Sequence, residues 1–205
     1  MSQSAHEGVI KFQLDFREGP APPGEHLHEL NAWRIIFKRL GLIGQEPNRY
    51  NGYGFGNLSR RLPDHNGATF LISGTQTGHL QELSPSHYAT VHHCDPAANR
   101  LQSSGQIQPS SEALSHGVLY QCEPMIHWVM HLHSPEIFAC RKELGLSCTD
   151  SKADYGTPEM AVEIKRIANM QNSTAGLLVM EGHQDGILVY GSNAPETGLL
   201  AVSTL

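Results

Sequence analysis

The stretch MIHWVMHLHSPEIF, residues 125–138, constrains the fold more than any other part of the chain. Ile126, Trp128 and Val129 favour extended backbone, so the run reads as a buried strand. Ser134-Pro135 then closes it, because proline supplies no ladder donor. Side chains two apart in a strand share a face, which puts His131 and His133 side by side, roughly 6–7 Å apart at their Cα atoms. Their imidazoles can converge on one metal ion, and zinc accepts neutral imidazole readily. His127 falls on the same face but lies roughly 13 Å behind His131, too far to share that ion.

A chain built around such a strand needs layers to bury it. Its 205 residues fit one domain of ordinary size. Hydrophobic residues make up 39% and charged residues 17%, a globular balance. The net charge of −6 leaves no basic footprint for nucleic acid or an anionic membrane. No apolar run approaches the roughly 20 residues of a membrane span. The N-terminus, MSQSAHEG, lacks the regions of a signal peptide. Cys94, Cys122, Cys140 and Cys148 show no CxxC spacing, so they are expected as reduced thiols in a cytoplasmic protein.

Residues 1–25 read as an N-terminal arm, with a short strand at 9–16 followed by the helix-incompatible GPAPPG, and residues 26–205 as one domain. Leu27, Leu30, Trp33, Ile36, Phe37 and Leu40 recur at helical spacing and predict a packing helix over 26–40. Further strands are expected at 69–72, 89–94, 176–180 and 187–190. Further helices are expected at about 110–122, 135–144, 159–169 and from 195.

Three other stretches carry polar chemistry. The turn ending in Gly56-Asn57 can present backbone N–H groups and an amide to an anion, and so can Ser73-Gly74-Thr75-Gln76-Thr77-Gly78. Ser110 and Ser111 precede a helix, where hydroxyls and free N–H groups suit a phosphate. Glu112 follows in the first turn, and His116 is one turn further on, expected as a packed histidine or as support for the site. His183, flanked by Gly182 and Gln184 at a strand end, is a possible third ligand. His92 and His93 are adjacent in a strand, where alternation sends them to opposite faces and away from any shared ion.

Taken in order, GNLS, SGTQTG, PSSE with its following histidine, HLH and GHQDG resemble the zinc-dependent class II aldolase and adducin-head family, to which fuculose-phosphate aldolase belongs. The resemblance implies an α/β/α three-layer domain with a mainly antiparallel central sheet, in a homotetramer with sites near subunit interfaces. It assigns His131, His133 and His183 to Zn²⁺ or another divalent metal. It assigns Glu112 to acid/base catalysis, with the further ability to ligate the empty metal. It places Gly56, Asn57, Thr77, Gly78, Ser110 and Ser111 around a substrate phosphate. The aldolases' tyrosine proton donor aligns with Lys152 here, and nearby Tyr155 can stand in for it. The activity implied is aldolase cleavage of a ketose phosphate or related hydroxy-keto substrate through a zinc-stabilised enediolate. The alternatives are a sugar-phosphate epimerase or dehydratase of the same fold, or a non-catalytic adducin-like assembly module.

Overall fold

The computed structural model describes residues 8–63 and 69–205. In chain order, strand β1 (Gln13–Glu18) leads to helix α1 (His28–Arg39), the two-residue strands β2 (Gly44–Gln45) and β3 (Gly54–Phe55), and β4 (Asn57–Arg61). Then follow β5 (Phe70–Ser73), β6 (Tyr88–Asp95), β7 (Arg100–Gly105), α2 (Ala113–Cys122) and β8 (Trp128–His133). The chain ends with α3 (Pro135–Ala139), β9 (Ser147–Cys148), α4 (Pro158–Gln171), β10 (Gly176–Val179), β11 (Gly186–Gly191) and α5 (Ala194–Ser203).

Nine of these strands, among the described residues, form one sheet in the order β1-β7-β6-β5-β4-β8-β11-β10-β9. The pairings are antiparallel except the outermost ones, β1 with β7 and β9 with β10. β2 and β3 pair separately. β8 sits near the middle, and all six of its residues are buried. That position explains why Trp128–Met130 and Leu132 are apolar on both faces, with only the two histidines breaking the run.

Helices cover both faces, so the architecture is the expected α/β/α sandwich. On one face Leu114, Val118 and Leu119 of α2 and Met160, Ile164 and Ile167 of α4 pack against Phe70, Val91, Val129 and Leu188. On the other, Leu30 and Phe37 of α1 and Ala194 and Ala201 of α5 pack against Leu71, Met130, Leu132 and Val189. Strand alternation therefore turns Val129, His131 and His133 toward α2, and Trp128, Met130 and Leu132 toward α1 and α5. Among the described residues, no helix is long and apolar enough to cross a membrane.

Several local expectations shift. The first strand starts at Gln13 rather than residue 9 and pairs with β7, itself a strand too polar to be read from its RLQSSG sequence. α1 buries Arg34 at 2% exposure and leaves Ile36 and Leu40 at 40% and 46%, so its buried face is rotated from the apolar pattern. The helix expected over 135–144 ends at Ala139, and turns carry the chain on to Gly145. A bulge between Val91 and His93 interrupts alternation, so His92 and His93 both lie exposed, with His92 Nε2 2.7 Å from Ser104 Oγ.

Candidate metal centre and substrate cleft

His131 and His133 reach the α2 side from the last residues of β8. His183 reaches the same point from the tight turn between β10 and β11. That turn is closed by Met180 N–H to Gly186 O, His183 N–H to Met180 O and Gly186 N–H to His183 O, all at 2.9 Å. Asp185 takes a left-handed conformation (φ 60°) to complete it. Gly182 is needed there, since a Cβ would overlap the carbonyl of Ala153 on the neighbouring loop.

The three rings meet at centroid separations of 4.8–4.9 Å, and one nitrogen from each can be chosen so that all lie within 4.8 Å of one another. His131 Nε2 and His133 Nε2 are 3.1 Å apart. Two nitrogens bound tetrahedrally to one zinc at about 2.0–2.1 Å would be separated by about 3.3 Å. His131 Nδ1 lies 3.1 Å from the carbonyl oxygen of Ile187, and only a protonated Nδ1 can donate there. This fixes the tautomer and leaves Nε2 as the lone-pair nitrogen facing its partners. Burial, reinforced by the neighbouring His183, holds both His131 and His133 well below the ordinary histidine pKa. They are therefore neutral, the form a metal requires. The donor set fits a zinc-type ion.

Glu112 stands beside this trio. It occupies the position preceding α2, and Ser110 Oγ accepts from its backbone N–H at 3.3 Å. Ser115 Oγ donates to Glu112 Oε2 at 2.9 Å, while Oε1 lies 3.8 Å from His183 Nδ1. The helix thus begins at Ala113 rather than at about residue 110, and the serines form the approach to it.

The six residues expected around a phosphate line one cleft: Gly56, Asn57, Thr77, Gly78, Ser110 and Ser111, joined by Gly8, Gly54, Gly74, Thr75 and Gln76. Asn57 pairs with His131 across β4 and β8, which ties the cleft to the metal centre by sheet register. Asn57 Oδ1 is buried with no hydrogen-bond partner among the described residues, as fits a group awaiting a polar ligand. Gly56 holds φ at +76°, and a side chain at Gly78 would run into the Gly44 carbonyl.

Tyr155 lies against the centre from the loop before α4. Its ring stacks on His183 with centroids 4.6 Å apart and planes at 25°. Lys152 is exposed, in a separate groove with Pro158 and Val162. His116 is buried and bonded to Ser59, as a packed histidine should be, and His127 is exposed.

One group of neighbours had no clear sequence signal. Tyr50 presents its ring to His133 edge-on, with centroids 4.6 Å apart. Its hydroxyl donates to Asp185 Oδ2 at 2.8 Å and accepts from Arg49 Nη2 at 2.9 Å. Burial, foremost, raises the phenol above its usual range, which keeps it a donor. Tyr50 has φ 48°, a conformation that nothing in an aromatic residue advertises.

Residues 47–204 match the model of the Class II Aldolase and Adducin N-terminal domain, and the chain belongs to that family. Among curated relatives, the methylthioribulose-1-phosphate dehydratase of Stenotrophomonas maltophilia (strain R551-3) is 31% identical over 125 residues, covering 57% of this chain and 54% of the relative. The chain thus spans about half the length of the curated relative it matches. Among solved structures, L-fuculose-1-phosphate aldolase from Thermus thermophilus superposes with a TM-score of 0.62 at 16% identity, over 89% of this chain and 90% of that one. YgbL from Klebsiella pneumoniae gives 0.62 at 19% identity, over 89% and 88%. The fold is that of the class II aldolases.

Proposed function

We propose that this protein is a metal-dependent lyase acting on a ketose phosphate or related hydroxy-keto substrate, with zinc the expected ion. The observation that carries this reading is the convergence of His131, His133 and His183, with Glu112 3.8 Å from His183. A divalent ion bound by the three histidines would supply a Lewis acid to the oxygens of a hydroxy-ketone. The chain's own groups do the rest. Ser115 holds one carboxylate oxygen of Glu112, and the other faces the histidines, where it can take or return a proton at the carbon beside the ketone. The cleft around Asn57, Thr77 and Ser110 would hold the phosphate away from the reacting bond and fix the substrate's orientation. Tyr155, against His183, is the candidate to take the hydroxyl proton of the fragment that leaves in aldol cleavage, or to protonate the hydroxyl that leaves in dehydration.

Proton transfer at that carbon serves two outcomes. Cleavage of the neighbouring carbon–carbon bond is the aldolase reaction, and we take it as the first reading. Loss of the neighbouring hydroxyl as water is a dehydration, a second reading favoured by the 31% identity to a dehydratase. We further expect a homotetramer in the cytoplasm, without nucleic-acid or membrane partners.

The test is product analysis by mass spectrometry after zinc-loaded protein meets a panel of ketose 1-phosphates. A substrate that splits into two carbonyl fragments supports the aldolase, and one that loses a single water supports the dehydratase. Glu112→Gln should lower either rate by at least about 100-fold. A metal-loaded protein inert toward the whole panel would favour the assembly-module reading.

A further inference from the structure

We propose that the segment 8–12, which precedes the family-matching region, is a working part of the site, and that Lys11 is a positioning residue that holds Tyr155 against His183. The inference rests on the reading of His183 as a metal ligand.

The Lys11 ammonium sits over the Tyr155 ring, 3.7 Å from its centroid. The same ring stacks on His183. Ammonium, phenol and imidazole therefore form one contiguous series running from the N-terminal segment to the metal centre. Tyr155 is only 2% exposed and the Lys11 side chain 21%, so the ring is screened from water and the cation partly so, and the attraction between a cation and a ring face strengthens when desolvated.

Lys11 is itself anchored. Its Nζ is 3.2 Å from Asp154 Oδ2, in the residue preceding Tyr155. Its carbonyl accepts from Asn99 Nδ2 at 3.1 Å, and Gln13 N–H donates to Asn99 O at 2.8 Å. Phe12 is buried in the core on the α2 side. Gly156, at φ +67°, lets the Tyr155 loop turn close beneath the segment. A Cβ there would sit 3.6 Å from Lys11 Cβ and 3.5 Å from the Ser111 carbonyl. Three residues upstream of Lys11, Gly8 lines the cleft that contains Asn57, Thr77 and Ser110. Its carbonyl accepts from Gln76 Nε2 at 3.4 Å. The segment thus closes one side of the cleft and, through Lys11, presses the tyrosine on the ligand histidine. Groups that orient a ligand ring tune metal affinity without touching the ion.

Chelator competition for zinc tests this on the full chain. Lys11→Met should weaken zinc binding about three- to tenfold, short of the 10–100-fold seen for groups bonded directly to a ligand. Far-UV circular dichroism and the melting temperature of the metal-free protein should stay near wild type. Lys11→Arg, which keeps a cation over the ring, should restore the affinity. Tyr155→Leu should weaken zinc binding at least as much. In that background Lys11→Met should add less than about twofold, because the lysine acts through the ring. Unchanged affinity in Lys11→Met, or multiplying losses in the double variant, overturns the proposal. So does tighter binding, the result expected if Lys11 were only a nearby positive charge. Wild-type protein that takes up no zinc defeats the metal-centre reading and this inference together, whereas uptake insensitive to Lys11 defeats this inference alone.

Discussion

His116 shows how much a single buried side chain can carry. Its Nδ1 lies 2.6 Å from Ser59 Oγ, which is 2.7 Å from the Tyr120 hydroxyl, and the whole group is buried on the α2 side of β4. Burial pushes its pKa down to about 3. The folded value lies below the ordinary 6.5, so the unfolded chain binds the proton first. The stability this neutral histidine retains is fully present above pH 6.5 and is lost as pH falls from there toward 3. At pH 5 the loss for one such group is about 2 kcal/mol. His131 and His133 shift the same way and add to it. Urea unfolding at pH 7 and pH 5 checks the sign: wild type should lose stability on acidification, and His116→Gln should lose about 2 kcal/mol less. Equal losses would contradict the assignment. His116 was legible in the sequence because it falls one helical turn after Glu112. Tyr50 was not, because its bond to Asp185 joins residues far apart in the chain and its left-handed backbone leaves no compositional mark.

At the scale of the element, helix α1 does more than the packing its apolar spacing announced. Arg34 Nη2 donates to the carbonyls of Thr77 at 2.8 Å and Leu80 at 2.9 Å, and Nη1 to Gln81 at 3.2 Å. Lys38 Nζ reaches the carbonyls of Gly78 and Leu80 at 2.8 and 2.7 Å. Two cations on one helix thus gather the carbonyls at the end of the SGTQTG turn and just after it, beside the cleft that Thr77 and Gly78 line. Arg34→Met would strand several part-buried carbonyls and should cost about 2–4 kcal/mol, measured by urea unfolding. Lys38→Met, nearer solvent, should cost less than about 1 kcal/mol. An Arg34→Met change within about 0.5 kcal/mol of wild type would show that water replaces the guanidinium at no cost. The apolar runs of β8, β10 and β11 were readable because both their faces are buried. β7 was not, because only Leu101, Ser103 and Gly105 of RLQSSG turn inward and two of those are not hydrophobic. α1 was readable as a helix but not in its rotation, since a buried arginine bonded to distant carbonyls breaks the link between apolarity and burial.

Across the whole molecule, a mainly antiparallel sheet between two helical layers brings one histidine pair, a turn histidine and a helix-start glutamate to one end of the central strands. The pieces were visible singly because each sits beside its own local signal, a proline after β8, glycines around His183 and serines before α2, but it was the family resemblance that joined them into one site. What lay beyond local signal was the return of the N-terminal segment. β1 joins the far edge of the sheet beside β7, while Gly8 and Lys11 lie at the cleft and at Tyr155. The most direct test of the central claim is metal content by mass spectrometry of untagged protein after zinc reloading. Wild type should carry about one zinc per chain. Glu112→Gln should carry the same, and a still-folded His133→Ala should carry almost none. Wild type that stays metal-free, or His133→Ala that loads as well as wild type, would contradict the account.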